Sequence, residues 1–188
     1  DEVNRFAEMG KFFGYPYCFT EFILPDFGMG TGTQWHWGNL TEPYTDEWCR
    51  DPSNNTIPEV ALLAHSAPLG ITFYHYNETV PDYCPEGVAF PKEWDGDAFI
   101  TYHGSYYRNV PIGAKVMRVP MTEEGLVDGG IDMKPSVIME DMDFGAEWLS
   151  GVRPVDVTFD ECGRLLVSSD GSYADQDGRM IILVQSYT

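Results

Sequence analysis

The stretch DAFITYHGSYYRNV, residues 97–110, brings a histidine, a tight glycine turn and an arginine together: His103, Gly104 and Arg108. An imidazole in such a turn can act as a general base or hold an anionic group, and the arginine can pair with a carboxylate. The plainer alternative for His103 is a hydrogen bond to a neighbouring loop. A similar turn recurs in RLLVSSDGSYADQD, where Asp170 takes the place of His103. Arg153, in SGVRPVDV, precedes a strand-like run and is placed to meet a polyanionic ligand, or else it is an ordinary surface arginine. His65, in LLAHSAPLG, precedes the corresponding run of the earlier copy. Trp35, Trp37 and Trp48 can stack on sugar rings or pack their own loop. No G-x-S-x-G, P-loop or H-E-x-x-H motif is present, and the glycines of GMGTGT open no helical pattern.

These residues need elements to hold them. From about residue 60 onward, short apolar or alternating runs follow one another: VALLAHS, GITFYHY, DAFITYH, AKVMRVPM, SVIMEDM, PVDVTFD, RLLVSSD and RMIILVQSY. Each is bounded by Gly, Pro, Asp or Asn, as strands are, and no long 3.6-residue period competes with them. The predicted class is all-β. The runs also repeat: PLGITFY matches PVDVTFD, FITYHGSY matches LLVSSDGSY, and AKVMRV matches GRMIILV, in the same order. Each copy reads as a propeller blade, a meander of antiparallel strands. The expected organisation is a loop-rich lead-in over 1–60, one blade over 61–143 and a last blade over 144–188 that lacks one strand. Two blades cannot close a ring, so the chain reads as the C-terminal part of a propeller. A further polypeptide segment or chain would complete it.

The 188 residues carry 11 basic and 30 acidic side chains, a net charge of -19. That surface repels nucleic acid and anionic membranes, and neither is an expected partner. It is either simply solvated or suited to calcium, which takes carboxylate and carbonyl oxygens. No apolar run is long enough for a membrane span. Sequons at Asn39, Asn54 and Asn77 point to a secreted glycoprotein. Cys18, Cys49, Cys84 and Cys162 lack metal-ligand spacing, so two disulfides are expected. Three pairings are open; the shared position of Cys18 and Cys49 in the irregular first third favours joining those two.

Taken together, DEVNRF with FFGYPYC, AHSAPLGITFY, WDGDAFITYHGSYYRNVPIGAKVMRV and GVRPVDVTFDECGRLLVSSD resemble the glucose/sorbosone dehydrogenases, which include fungal pyranose dehydrogenases. The resemblance implies a secreted six-bladed propeller that oxidises a sugar hydroxyl or aldehyde with pyrroloquinoline quinone and calcium. It implies that His103, Arg108 and Arg153 surround the quinone, that His65 lies near the same face, and that Asp1 and Glu2 belong to a structural calcium site. It also implies a second arginine where Val155 stands, and a catalytic histidine upstream of DEVN. A sugar or glycan would be the substrate. The competing reading is a non-catalytic extracellular glycoprotein that uses the same fold for binding or assembly.

Overall fold

The computed structural model describes residues 1–39, 42–105, 112–140, 152–171 and 178–183. The chain divides into two compact units, Asp1–Ala64 with Gly129–Lys134, and His65–Asp128 with Pro135–Thr188. Among the described residues, no helix is long and apolar enough to cross a membrane.

The first unit is built from short elements. Strand β1 (Glu2–Val3) pairs with β4 (Val60–Ala61), and β2 (Cys18–Thr20) pairs with β3 (Gln34–His36), both antiparallel. One helical turn, α1 (Asp46–Arg50), begins at Thr45, whose side chain accepts from the Trp48 N–H. The Cys18–Cys49 disulfide ties that turn to β2. Its long loop is organised by one buried carboxylate. Glu21 accepts from the N–H groups of Met29 and Gly30 and from the Trp35 indole, at 3.0 to 3.1 Å.

Burial works to raise the Glu21 pKa, but these donors outweigh it and hold the carboxyl below its ordinary 4.5. A depressed folded value means that this stabilisation is present above about pH 4.5 and is lost as pH falls through the folded value. We expect Glu21→Gln to lower Tm at pH 7 by about 3 °C, roughly 1 kcal/mol, and to flatten the Tm profile between pH 5 and 3. Thermal melts across that range check it; a variant profile parallel to wild type would contradict the assignment.

The second unit holds two antiparallel meanders. Strands β5 (Pro68–Phe73), β6 (Ala98–Tyr102), β7 (Lys115–Val119) and β8 (Ser136–Glu140) lie side by side in that order. The second sheet has the order β11-β10-β9, from β9 (Pro154–Phe159), β10 (Leu165–Ser169) and β11 (Arg179–Leu183). Between them lies one core of Tyr74, Phe90, Phe99, Val116, Val157, Leu165 and Val167. Alternation explains the second sheet's share: Leu165, Val167 and Ser169 of β10 are buried, and the residues between them are half-buried.

Two details set the spacing of β5 and β9. A side chain at Gly70 would fall 2.8 Å from the Asp156 Cα and 3.0 Å from the Val155 carbonyl oxygen. The Thr101 hydroxyl accepts from the Gly70 N–H at 2.8 Å and donates to the Val155 carbonyl at 3.0 Å. The segment between β5 and β6 is held by the Cys84–Cys162 disulfide and by Tyr74, whose hydroxyl donates to the Phe90 carbonyl.

The all-β expectation holds as a mostly-β fold: among the described residues the exceptions are α1 and two 3-10 turns at Lys92–Trp94 and Gly130–Asp132. The expected propeller part is not supported. Among the described residues the strands form four separate small sheets of two, two, three and four strands, with no ring. The cause lies partly in the first unit, where strands of two or three residues bounded by turns supply little edge for a wider sheet.

Candidate functional site

The turn after β6 explains its glycine. Gly104 has φ 113° and Gly113 has φ 101°, both in the left-handed region. A Cβ on Gly113 would fall 2.3 Å from the Gly104 Cα, so the two backbones meet only because neither carries a side chain. The His103 and Gly104 N–H groups donate to the carbonyls of Ala67 and Ser66, at 3.0 and 2.9 Å. His65 (φ 65°) and Ala67 (φ 50°) flank the buried Ser66 in left-handed conformations that non-glycine residues seldom adopt. Local strain is thus concentrated where His65 and His103 are presented. His65 is exposed, next to the Ser66 and Ala67 carbonyls that hold this turn.

The equivalent turn after β10 comes to the same place. Ser169, buried at the end of β10, accepts from the Arg153 and Gly171 N–H groups and so fixes Arg153 beside Asp170. The His103 Nε2 lies 3.0 and 3.1 Å from the two Asp170 carboxylate oxygens, and its Nδ1 lies 2.9 Å from an Arg153 guanidinium nitrogen. The His103 side chain is 16% exposed and that of Asp170 56%. The Arg153 Nε is buried and has no hydrogen-bond partner among the described residues. Both ring nitrogens of His103 are engaged, which leaves no lone pair to take a substrate proton in this arrangement. Next to it, burial pushes the Tyr102 phenol well above its ordinary value, so it stays protonated.

Of the residues singled out from the sequence, the structure joins His103 to Arg153, and His65 precedes the Ser66–Ala67 segment whose carbonyls hold the His103–Gly104 backbone. Arg108 lies outside the described residues. Glu2 accepts from Asn4 and Thr20, and no group of three or more His, Cys, Asp or Glu able to hold a metal occurs among the described residues. Trp35 is capped by Arg50 and bonded to Glu21, and Trp48 packs on Phe12 and Tyr44. Trp37 is the exposed one, at 56%. Asn39 and Asn77 are exposed; Asn54 is half-buried and donates to the Trp48 carbonyl. Sequence reasoning passed over Asp170 as a partner. The signal was present, since the repeat put His103 and Asp170 at equivalent positions, but equivalence was read as parallel placement and not as contact.

The geometry defines a disulfide-bonded, mostly-β domain whose two meanders combine a histidine, an arginine and an aspartate on one rim. The chain belongs to the TrAA12-like family, whose model matches residues 1–186. It is 27% identical to a pyrroloquinoline quinone-dependent sugar dehydrogenase of Hypocrea jecorina, over 98% of this chain and 36% of that protein. It is 31% identical to a pyrroloquinoline quinone-dependent pyranose dehydrogenase of Coprinopsis cinerea, over 58% of this chain and 13% of that one.

Among solved structures, the calcium structure of the Trichoderma reesei carbohydrate-active enzyme family AA12 aligns with a TM-score of 0.71 at 28% identity, over 96% of this chain and 40% of that chain. The holo form of the pyranose dehydrogenase PQQ domain from Coprinopsis cinerea aligns with a TM-score of 0.69 at 26% identity, over 93% and 40%. The chain thus spans well under half the length of these relatives. The family match corrects the resemblance drawn from sequence: the family is TrAA12-like, not the glucose/sorbosone dehydrogenases. The relation to quinone-dependent sugar dehydrogenases stands.

Proposed function

We propose that this chain is part of a quinone-dependent carbohydrate dehydrogenase, and that its Arg153–His103 rim receives the carboxylates of pyrroloquinoline quinone. One observation carries the reading: in a chain of net charge -19, a partly buried guanidinium keeps a buried Nε donor with no partner among the described residues. A buried donor left without an acceptor costs about 1–3 kcal/mol, which a ligand oxygen reached by a small side-chain shift would recover. His103 and Ser169 hold the arginine so that little ordering remains to be done on binding. When bound, the quinone supplies a two-electron acceptor for a sugar hydroxyl or aldehyde. Arg108 would add a second cation. Calcium has no assigned place: no group of three or more His, Cys, Asp or Glu that could hold a metal ion occurs among the described residues.

Two disulfides and the exposed Asn39 and Asn77 support a secreted, glycosylated setting. A separate observation favours the assembly reading. Leu69, Ile71 and Phe73 form an exposed apolar row along one face of β5, which a further polypeptide segment or chain would cover. Titration of pyrroloquinoline quinone into the protein, followed by tryptophan fluorescence, tests the first reading. Saturable one-to-one quenching, then sugar-dependent dye reduction in the assembled enzyme, is expected. No saturable quenching up to millimolar quinone leaves the binding and assembly reading in its place.

A further inference from the structure

We propose that Asp170 is a positioning residue: it accepts a hydrogen bond from the Nε2–H of His103, fixes the ring with Nδ1 unprotonated, and through Nδ1 sets the Arg153 guanidinium. The argument is one of donors and acceptors. A guanidinium nitrogen has only N–H to offer, so at 2.9 Å from it Nδ1 must accept. A neutral imidazole that accepts at Nδ1 carries its proton at Nε2, where Asp170 stands at 3.0 and 3.1 Å with two acceptor oxygens. A doubly protonated ring would point an N–H at another N–H. Carboxylate, imidazole and guanidinium therefore form one directed chain, in which the carboxylate selects the tautomer that the arginine requires.

The chain is also placed by rigid parts. The His103 backbone is held by Ala67, the Arg153 N–H by the Ser169 hydroxyl, and Asp170 follows that serine directly. Asp170 is half-exposed, so its effect is modest in size but specific in kind. It needs no contact with a ligand: its influence reaches the ligand only through His103 and Arg153. The step from guanidinium to quinone rests on the function proposed above; the tautomer does not.

The test is nitrogen NMR of the whole chain labelled at histidine, at about pH 8, with the His103 signals assigned from a His103→Gln variant. The wild type is expected to show an unprotonated Nδ1 and a protonated Nε2 whose hydrogen exchanges slowly. Asp170→Ala is expected to mix the two tautomers, to lose the slow Nε2 hydrogen, and to weaken quinone binding by about tenfold. Asp170→Asn, which keeps an acceptor oxygen, should retain the wild-type ring signature. His36, His65 and His75 report in the same spectra whether each variant is folded, and Asp170→Asn is itself informative if Asp170→Ala is not. A wild-type ring protonated at Nδ1, or an unchanged ring signature in folded Asp170→Ala, overturns the proposal. So does loss of the signature in folded Asp170→Asn. If the ring behaves as expected while wild type binds no quinone, the inference stands and the quinone reading fails.

Discussion

Arg153→Ala is expected to weaken pyrroloquinoline quinone binding by more than about 100-fold, the equivalent of about 3 kcal/mol. The arginine gives a planar set of donors that fits a carboxylate at two points, and it is pre-set by the Ser169 hydroxyl and His103. Removing it takes away the guanidinium and also frees Nδ1 of its donor, so the ring loses one of its two anchors. Arg153→Lys should recover about tenfold at most, because a point charge restores attraction without the fork. Fluorescence titration reads both affinities, and near-UV circular dichroism shows whether the fold is kept. A folded Arg153→Ala with wild-type affinity would place the quinone elsewhere.

The second large effect concerns stability. Cys84 and Cys162 are separated by 78 residues, and their bond joins the segment before β6 to the turn between β9 and β10. Closing a loop of that length in the unfolded chain removes entropy worth about 4.5 kcal/mol. The 31-residue separation of Cys18 and Cys49 gives about 3.7 kcal/mol by the same relation. Native domains hold only about 5–15 kcal/mol, so the first bond alone is a large share. We expect the Cys84→Ala, Cys162→Ala double variant to lose about 4 kcal/mol in urea unfolding, with a lower midpoint and a larger m-value. A loss below about 1 kcal/mol would mean that the surrounding cluster of Tyr74, Phe90, Phe99 and Phe159 holds the segment unaided.

Much of the second unit was legible because strands announce themselves locally. Apolar alternation in Leu165–Ser169 and the turn residues around it need no tertiary information. The glycine of His103-Gly104-Ser105 was legible as a turn, but not as half of a contact with Gly113, which lies nine positions further on and carries no pattern. The meeting of His103 with Asp170 depends on two sheets at a fixed gap, and that gap is set by Gly70 and Thr101, neither of which bears chemistry. Glu21 was invisible for a related reason. A buried carboxylate looks like any surface acid until the loop N–H groups that surround it are known. The propeller was read from the repeat and the resemblance, and a repeat specifies strand order within a sheet without specifying how many sheets meet.

The pairing of equivalent turns carries a further meaning. A duplicated unit begins with the same residue at both copies, and at this rim the copies face each other. Two aspartates there would repel, and two neutral histidines could satisfy each other but would offer the arginine no carboxylate-backed acceptor. One histidine against one aspartate gives donor to acceptor and a fixed direction. Chemical asymmetry between the copies is what turns a symmetric seam into a polarised one.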